Sequence, residues 1–138
     1  MNARFMISVV VLFVLSMAIG FVVHAVLLNA DYVRLQHLFR TPADAEGYFP
    51  YMLLAHAFMA VGITWIYRVG RDTRSWLGQG FRFGLALFVL VTLPTYLIYF
   101  AVQPMPSDVV AKQIVLDGIG IMLLAFAAAA INRDPRAA

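Results

Sequence analysis

Four side chains that could do chemistry lie within stretches of sequence that are otherwise apolar: His24, His56, Tyr99 and Asp117. Together they would supply two imidazoles, a phenol and a carboxylate. His24, His56 and Asp117 could hold a divalent metal, the two histidines could ligate a haem, and the whole set could relay a proton or hydrogen-bond a quinone. A histidine in a helix bundle often only hydrogen-bonds a neighbouring hydroxyl or carboxylate, which staples helices together. The residue types alone leave these roles open.

His56 lies in a stretch whose length predicts a membrane span. Residues 49–67 contain no Asp, Glu, Lys or Arg. At about 1.5 Å of rise per residue they form a helix long enough for a bilayer core of about 30 Å. Aromatic side chains sit at both ends, where amphipathic rings prefer the headgroup layer, and Arg68 ends the segment. An ionisable side chain at this depth is unfavourable without a partner, so we expect His56 to face protein rather than lipid.

The composition excludes several classes of protein. Of the 138 residues, 63% are hydrophobic and 12% are charged, whereas soluble domains have about 25% charged residues. Most of the chain is therefore expected in lipid. The absence of cysteine excludes disulfides, thiolate metal sites and CxxC redox chemistry. The net charge of +3 comes from basic residues spread over short loops, so no nucleic-acid partner is predicted.

The hydropathy pattern predicts an all-α, polytopic membrane domain of four transmembrane helices arranged as two hairpins. Apolar residues at helical spacing in the first loop, with charges between them, predict a short interfacial helix there. Pro94 is expected to kink the third helix. The predicted parts are the spans 5–28, 49–68, 81–101 and 112–131, an outer loop 29–48, a cytoplasmic loop 69–80, an outer turn 102–111 and a tail 132–138.

The basic residues predict an orientation. Seven arginines fall on the side of the two termini, and three basic residues fall on the other. The positive-inside rule then places both termini in the cytoplasm, most simply in a bacterial inner membrane. The terminal side has Arg4, Arg68, Arg71, Arg74, Arg82, Arg133 and Arg136, and the outer side has Arg34, Arg40 and Lys112.

Small residues predict where helices pack, because they let backbones approach closely in lipid. The predicted packing positions are Ser16, Gly20, Gly80, Gly84 and Gly120. No catalytic constellation is recognisable, so the first hypothesis is association: a self-associating bundle, or an accessory subunit of a membrane complex, with no cofactor. The alternative is a protein that binds haem or metal, or that is linked to protons or quinone, through His24, His56 and Asp117.

A weak internal repeat relates the two hairpins. FVVHAV resembles YLIYFA, and LAHA resembles VLDG. This alignment matches His24 with Tyr99 and His56 with Asp117, all near the outer ends of their helices. We therefore expect the four side chains to meet in one layer, with His56 paired to Asp117.

Three segments carry a resemblance to a known family: MAIGFVVHAVL at the end of the first span, LPTYLIYF in the third and LDGIG in the fourth. With the long outer loop, they resemble an uncharacterised bacterial family of four-helix integral membrane proteins, known as a domain of unknown function. The resemblance implies a four-helix membrane fold and no activity. The chain departs from that family at His24, where an aromatic residue is common.

Overall fold

The computed structural model describes residues 2–133, and all of its regular structure is helical. The predicted tail 132–138, with Arg136, lies mostly outside this range. The first long helix turns from α-helical to π-helical at Phe21–Leu27, and the third has a π-helical segment at Phe88–Thr92. The elements are α1 (Ala3–Leu27), α2 (Asn29–Arg34), a 3₁₀ turn (Gln36–Leu38), α3 (Pro42–Glu46), α4 (Phe49–Gly70), α5 (Trp76–Val102) and α6 (Ser107–Ile131).

Four of these helices, α1, α4, α5 and α6, are long and apolar enough to cross a membrane. Many of their large apolar side chains point outward: Phe58 is 69% exposed and Leu90 is 75% exposed. Such outward surface is unfavourable in water and favourable in lipid. The structure thus confirms the predicted all-α bundle, and its four candidate spans indicate a multi-pass membrane protein.

The helix packing is centred on α6. Helix α6 packs along α5 and α1, and α1 packs along α4. Helices α4 and α5 meet through Tyr67, whose ring lies 5.4 Å from that of Phe83 and whose hydroxyl lies 3.2 Å from Gln79 Oε1. Elsewhere in residues 2–133, α4 and α5 do not pack along each other. The bundle is therefore open on one side.

The two ends of the bundle differ in composition. One end has the loop 71–75 and the arginines Arg4, Arg68, Arg71, Arg74, Arg82 and Arg133. The other has the long loop 28–48 and the short turn 103–106. We call the adjoining parts of the bundle the arginine half and the loop half.

The structure moves two predicted span boundaries outward. Helix α5 begins at Trp76 instead of 81, because the Ser75 side chain caps it by accepting the Gly78 N–H (3.3 Å). Helix α6 begins at Ser107 instead of 112, directly after Pro106, with Asp108 in its first turn. The sequence-based boundaries stopped at charged and polar residues, which helices tolerate in the headgroup layer. The first two helices end at Leu27 and Gly70, within two residues of the predicted ends at 28 and 68.

The loop 28–48 folds against the start of α6. Leu35 is buried and packs against Met105, Val109 and Val110. Lys112 Nζ lies 2.8 Å from Asp31 Oδ2 on α2, which anchors the same contact. Helix α3 begins after a Thr41 cap: Thr41 Oγ1 accepts the Asp44 N–H (3.3 Å). This anchoring places α2 over the end of the bundle.

Glycines allow close packing of α5 on α6. A Cβ at Gly80 would lie 2.6 Å from Phe126 Cδ1, and one at Gly84 would lie 2.6 Å from Met122 Sδ. Both distances are shorter than a carbon contact permits, so the helices approach closely only because side chains are missing there.

The core of the arginine half encloses three polar side chains. Leu12 is fully buried among apolar residues of α4 and α6. Next to it, Asn132 Nδ2 donates to Ser8 Oγ (3.0 Å), and Thr64 Oγ1 donates to the same oxygen (3.4 Å). Ser8 and Thr64 are completely buried. This network ties α1, α4 and the end of α6 together.

Candidate functional site

The loop half contains a cleft of about 270 Å³ that all four long helices line. Its apolar wall includes Ile19, Met59 and Leu124. Its polar lining consists of two imidazoles, a carboxylate, a phenol and three hydroxyls, from His24, His56, Asp117, Tyr96, Ser16, Thr92 and Thr95. The cleft thus combines hydrogen-bonding groups with a surface suited to an apolar molecule.

His24 is positioned by the π-helical segment Phe21–Leu27. The wider turn is visible in the backbone, where the Leu28 N–H donates to the Val23 carbonyl (2.9 Å), five residues back. A π-helical turn changes the direction of every following side chain and is frequent at functional sites. The second such segment, Phe88–Thr92, directly precedes Pro94, whose ring would clash with the carbonyl of an α-helical turn. Both distortions border the cleft.

His24 is hydrogen-bonded to the loop. Gln113 Nε2 donates to the Tyr32 oxygen (3.0 Å), and the Tyr32 hydroxyl lies 2.8 Å from His24 Nδ1, to which it donates when the His24 proton is on Nε2. Burial raises the pKa of the Tyr32 phenol above its ordinary value, which keeps it protonated as a donor at neutral pH. A neutral His24 that accepts at Nδ1 carries its proton on Nε2.

That second nitrogen of His24 faces a carboxylate. His24 Nε2 lies 3.4 Å from Asp117 Oδ1, so its N–H faces the carboxylate. The other oxygen, Oδ2, accepts a hydrogen bond from the Tyr96 hydroxyl. Asp117 therefore lies at the end of two donor chains, one that runs from Gln113 through Tyr32 and His24 and one that consists of Tyr96.

His56 belongs to a separate hydrogen-bond chain. Ser16 Oγ donates to the Phe13 carbonyl (2.9 Å), so it accepts from His56 Nδ1, also 2.9 Å away. The neutral ring then keeps a lone pair on Nε2. A Cβ at Gly20 would lie 3.6 Å from this Nε2, an ordinary contact, so Gly20 gives the ring a flat surface on the wall of the cleft. His56 presents an acceptor there.

The predicted cluster needs two corrections. Tyr99 is 51% exposed and does not line the cleft; Tyr96, three residues earlier on α5, bonds to Asp117 instead. His56 bonds to Ser16, so the partner of Asp117 on the first hairpin is His24. The repeat alignment placed residues to within about one turn, and π-helical segments in α1 and α5 alter the direction in which side chains point.

The metal and haem hypotheses have less support than hydrogen bonding. Within residues 2–133 no group of three or more His, Asp or Glu side chains is placed to hold a metal ion. Haem iron needs a free imidazole lone pair. His24 Nδ1 is hydrogen-bonded to Tyr32 and its Nε2 faces Asp117, so of the two predicted haem ligands only His56 has a free lone pair, on Nε2.

Of the predicted packing positions, Gly80, Gly84 and Gly120 lie in close helix contacts. A Cβ at Gly120 would lie 2.8 Å from Ile19 Cγ2, which joins α6 to α1 at the edge of the cleft. Gly20 and Ser16 have another role, because both contact the His56 imidazole.

Sequence reasoning missed Tyr96, Tyr32 and Gln113. Tyr32 was assigned to the interfacial helix and Gln113 to the start of a span, and no motif joins residues that are 81 positions apart. Gln113, a buried amide in an apolar helix, was the available signal.

The fold and the cleft define a class: a multi-pass, all-α membrane protein with a polar site between its helices. No protein-family model, no curated protein and no solved structure matches the chain. The resemblance to the bacterial four-helix family stays a prediction.

Proposed function

We propose that the protein binds a lipid-soluble molecule in the cleft and recognises it by hydrogen bonds that the ligand donates. This develops the proton- or quinone-linked alternative rather than the metal or haem one. The observation that carries the proposal is the direction of the hydrogen bonds around the cleft.

The donors around the cleft are largely used within the protein. Tyr96 donates to Asp117, and Ser16 donates to the Phe13 carbonyl. The Thr92 and Thr95 hydroxyls in the lining can donate or accept, whereas the His56 Nε2 lone pair and the remaining lone pairs of the Asp117 carboxylate can only accept. A hydroxyl or ammonium group would satisfy these two acceptors, whereas a carbonyl would not. A quinol and a lipophilic amine both have this chemistry.

The open side of the bundle supports entry from lipid. Helices α4 and α5 touch at Tyr67 and Phe83 in the arginine half, while in the loop half the cleft lies between them. A membrane-dissolved molecule can therefore approach sideways, with its apolar part against Met59 and Val91.

Matched ligand pairs test the proposal. Binding to protein in neutral phosphatidylcholine nanodiscs is measured by calorimetry for a short-chain quinol and its quinone, kept anaerobic, and for dodecylamine and dodecyltrimethylammonium. At least one donating ligand should bind about fivefold more tightly than its partner, since one hydrogen bond contributes about 1 kcal/mol. His56→Phe with Asp117→Asn should remove this preference, and His37→Phe, in the loop, should keep it. Equal affinities within both pairs, or a preference that survives the double variant, would contradict donor recognition.

The orientation and the association role also remain proposals. The arginine-rich end supports placing both termini in the cytoplasm, as in a bacterial inner membrane. Association has less support than the cleft, because Gly80, Gly84 and Gly120 are occupied by contacts within the chain. A complex larger than one copy on mild-detergent extraction would favour it.

A further inference from the structure

A second site is indicated at the opposite end of the bundle, where Arg4 of α1 and Arg71, directly after α4, contact the backbone just beyond α6. Arg4 Nη1 lies 3.5 Å from the Arg133 carbonyl, and Arg71 Nη1 lies 3.2 Å from the Asn132 carbonyl. Arg68 lies over the Phe5 ring, 5.8 Å from its centroid, beside Arg4. The side chains converge on the same small region.

The positive charge of this region is not balanced by the described part of the chain. The ion pairs at this end join Asp72 to Arg74 and Arg82. Within residues 2–133, Arg4, Arg68, Arg71 and Arg133 have no carboxylate partner. In addition, Arg68 Nη1 is buried and has no hydrogen-bond partner among these residues. A buried, unpaired donor on a charged group is unfavourable, and the helix-end carbonyls of α6 supply only partial negative charge.

The depth of these arginines matches that of lipid phosphates. Arg4 lies in the first turn of α1 and Arg68 in the last turn of α4, so both are at the boundary of the hydrocarbon core. Basic pockets between transmembrane helices bind anionic headgroups at this level, and guanidinium forks match phosphate oxygens. We propose that Arg4, Arg68 and Arg71 bind the phosphate of an anionic phospholipid.

Paired arginine variants test this site. Wild type, Arg68→Gln and Arg71→Gln are compared in nanodiscs of phosphatidylcholine alone and with one-fifth phosphatidylglycerol. The anionic lipid should raise the wild-type Tm by about 3 °C, because a ligand that binds only the folded state stabilises it. The rise should be absent in Arg68→Gln and reduced in Arg71→Gln. Arg82→Gln is the matched control, since it removes the same charge at the same end from an arginine already paired with Asp72.

Three results would overturn the proposal. If Arg82→Gln loses the rise as fully as Arg68→Gln, the protein senses only bulk charge. If inorganic phosphate in detergent gives the wild type the full rise, the occupant is a free anion. If Asp134→Asn lowers the Tm in neutral lipid as much as Arg68→Gln does, and phosphatidylglycerol adds nothing to wild type, a carboxylate of the chain is the partner. Arg68→Lys is a milder variant in case Arg68→Gln does not fold. It keeps the charge without the guanidinium fork, so phosphatidylglycerol should raise its Tm by an intermediate amount.

Discussion

In the arginine half of the bundle, polar side chains are enclosed in a packed core, whereas in the loop half they line an open cleft. Ser8, Thr64 and Asn132 bond to one another and are buried. His24 and Asp117 also bond within the protein, yet their side chains remain 40% and 21% exposed. Polar side chains that only hold helices together can be fully buried. The exposure of His24 and Asp117 therefore argues that these side chains contact a molecule outside the chain.

The largest effect is expected from breaking the packed half. Gly84→Val forces a side chain into the space of Met122, and overpacking of this kind costs about 2–3 kcal/mol. Gly62→Val is the matched control on α4, because a Cβ at Gly62 meets nothing within 4 Å. Thermal unfolding in detergent should show a much lower Tm for the Gly84 variant. Similar losses at both positions would mean that the α5–α6 contact is not closely packed.

The next effect concerns the bonds of the cleft. Asp117→Leu or Tyr96→Phe alone should lower stability by about 1–3 kcal/mol, because each leaves a partner unpaired. The double variant should recover part of the loss. In a second double-mutant cycle, the stability losses of His56→Phe and Asp117→Leu should add to within about 0.5 kcal/mol. Strong coupling to His56 and none to Tyr96 would restore the pairing predicted from the repeat.

A pair of serine variants compares the two halves directly. Ser8→Ala and Ser16→Ala make the same change eight residues apart on α1. Ser8→Ala removes the acceptor of Thr64 Oγ1 and one of the two acceptors of Asn132 Nδ2 in a closed core, and should cost about 1–2 kcal/mol. Ser16→Ala frees only His56, which can turn toward the cleft, so its loss should stay below about 1 kcal/mol. Equal Tm values for the two variants would remove the distinction between the halves.

The smallest effect is a pH dependence at the loop. The raised pKa of Tyr32 means that the folded protein holds the phenol proton more tightly than the unfolded chain. This stability is complete below about pH 10, the ordinary tyrosine pKa, and is lost as pH rises through the higher folded-state pKa. Above pH 10 the Tm of wild type should fall more steeply than that of Tyr32→Phe, by about 1 °C. If the Tm of wild type and of Tyr32→Phe fell equally with pH, burial of Tyr32 would not raise the pKa of its phenol.

The fold was predictable from the sequence because lipid imposes simple rules. A span must be long and apolar, so four helices could be identified from composition alone. The helix starts at Trp76 and Ser107 were missed, since hydropathy does not register the Ser75 cap or the turn at Pro106.

The site was less predictable because it depends on the direction in which each side chain points as well as on its position along the helix. The positions of His24, His56 and Asp117 along their helices were enough to predict a shared layer, and all three line the cleft. Their partners depend on the directions of the side chains, which are altered by the π-helical segment that contains His24 and precedes Tyr32. Tyr96 and Tyr99 lie one turn apart, so hydropathy could not separate them.

The π-helical segment Phe21–Leu27 also limits how this chain can change in length. Such a segment has the form of one extra residue in an α-helix. Deleting one residue there would let the segment become α-helical while the residues beyond it keep their direction, whereas deleting one residue in the α-helical part of α1 would rotate everything beyond it by about 100° about the helix axis. In the second case Leu28 and the following helix would approach a different side of the bundle, away from Lys112 and Gln113. A single deletion should therefore be tolerated better within this short stretch, or in the loop near residue 41, than in the preceding part of α1.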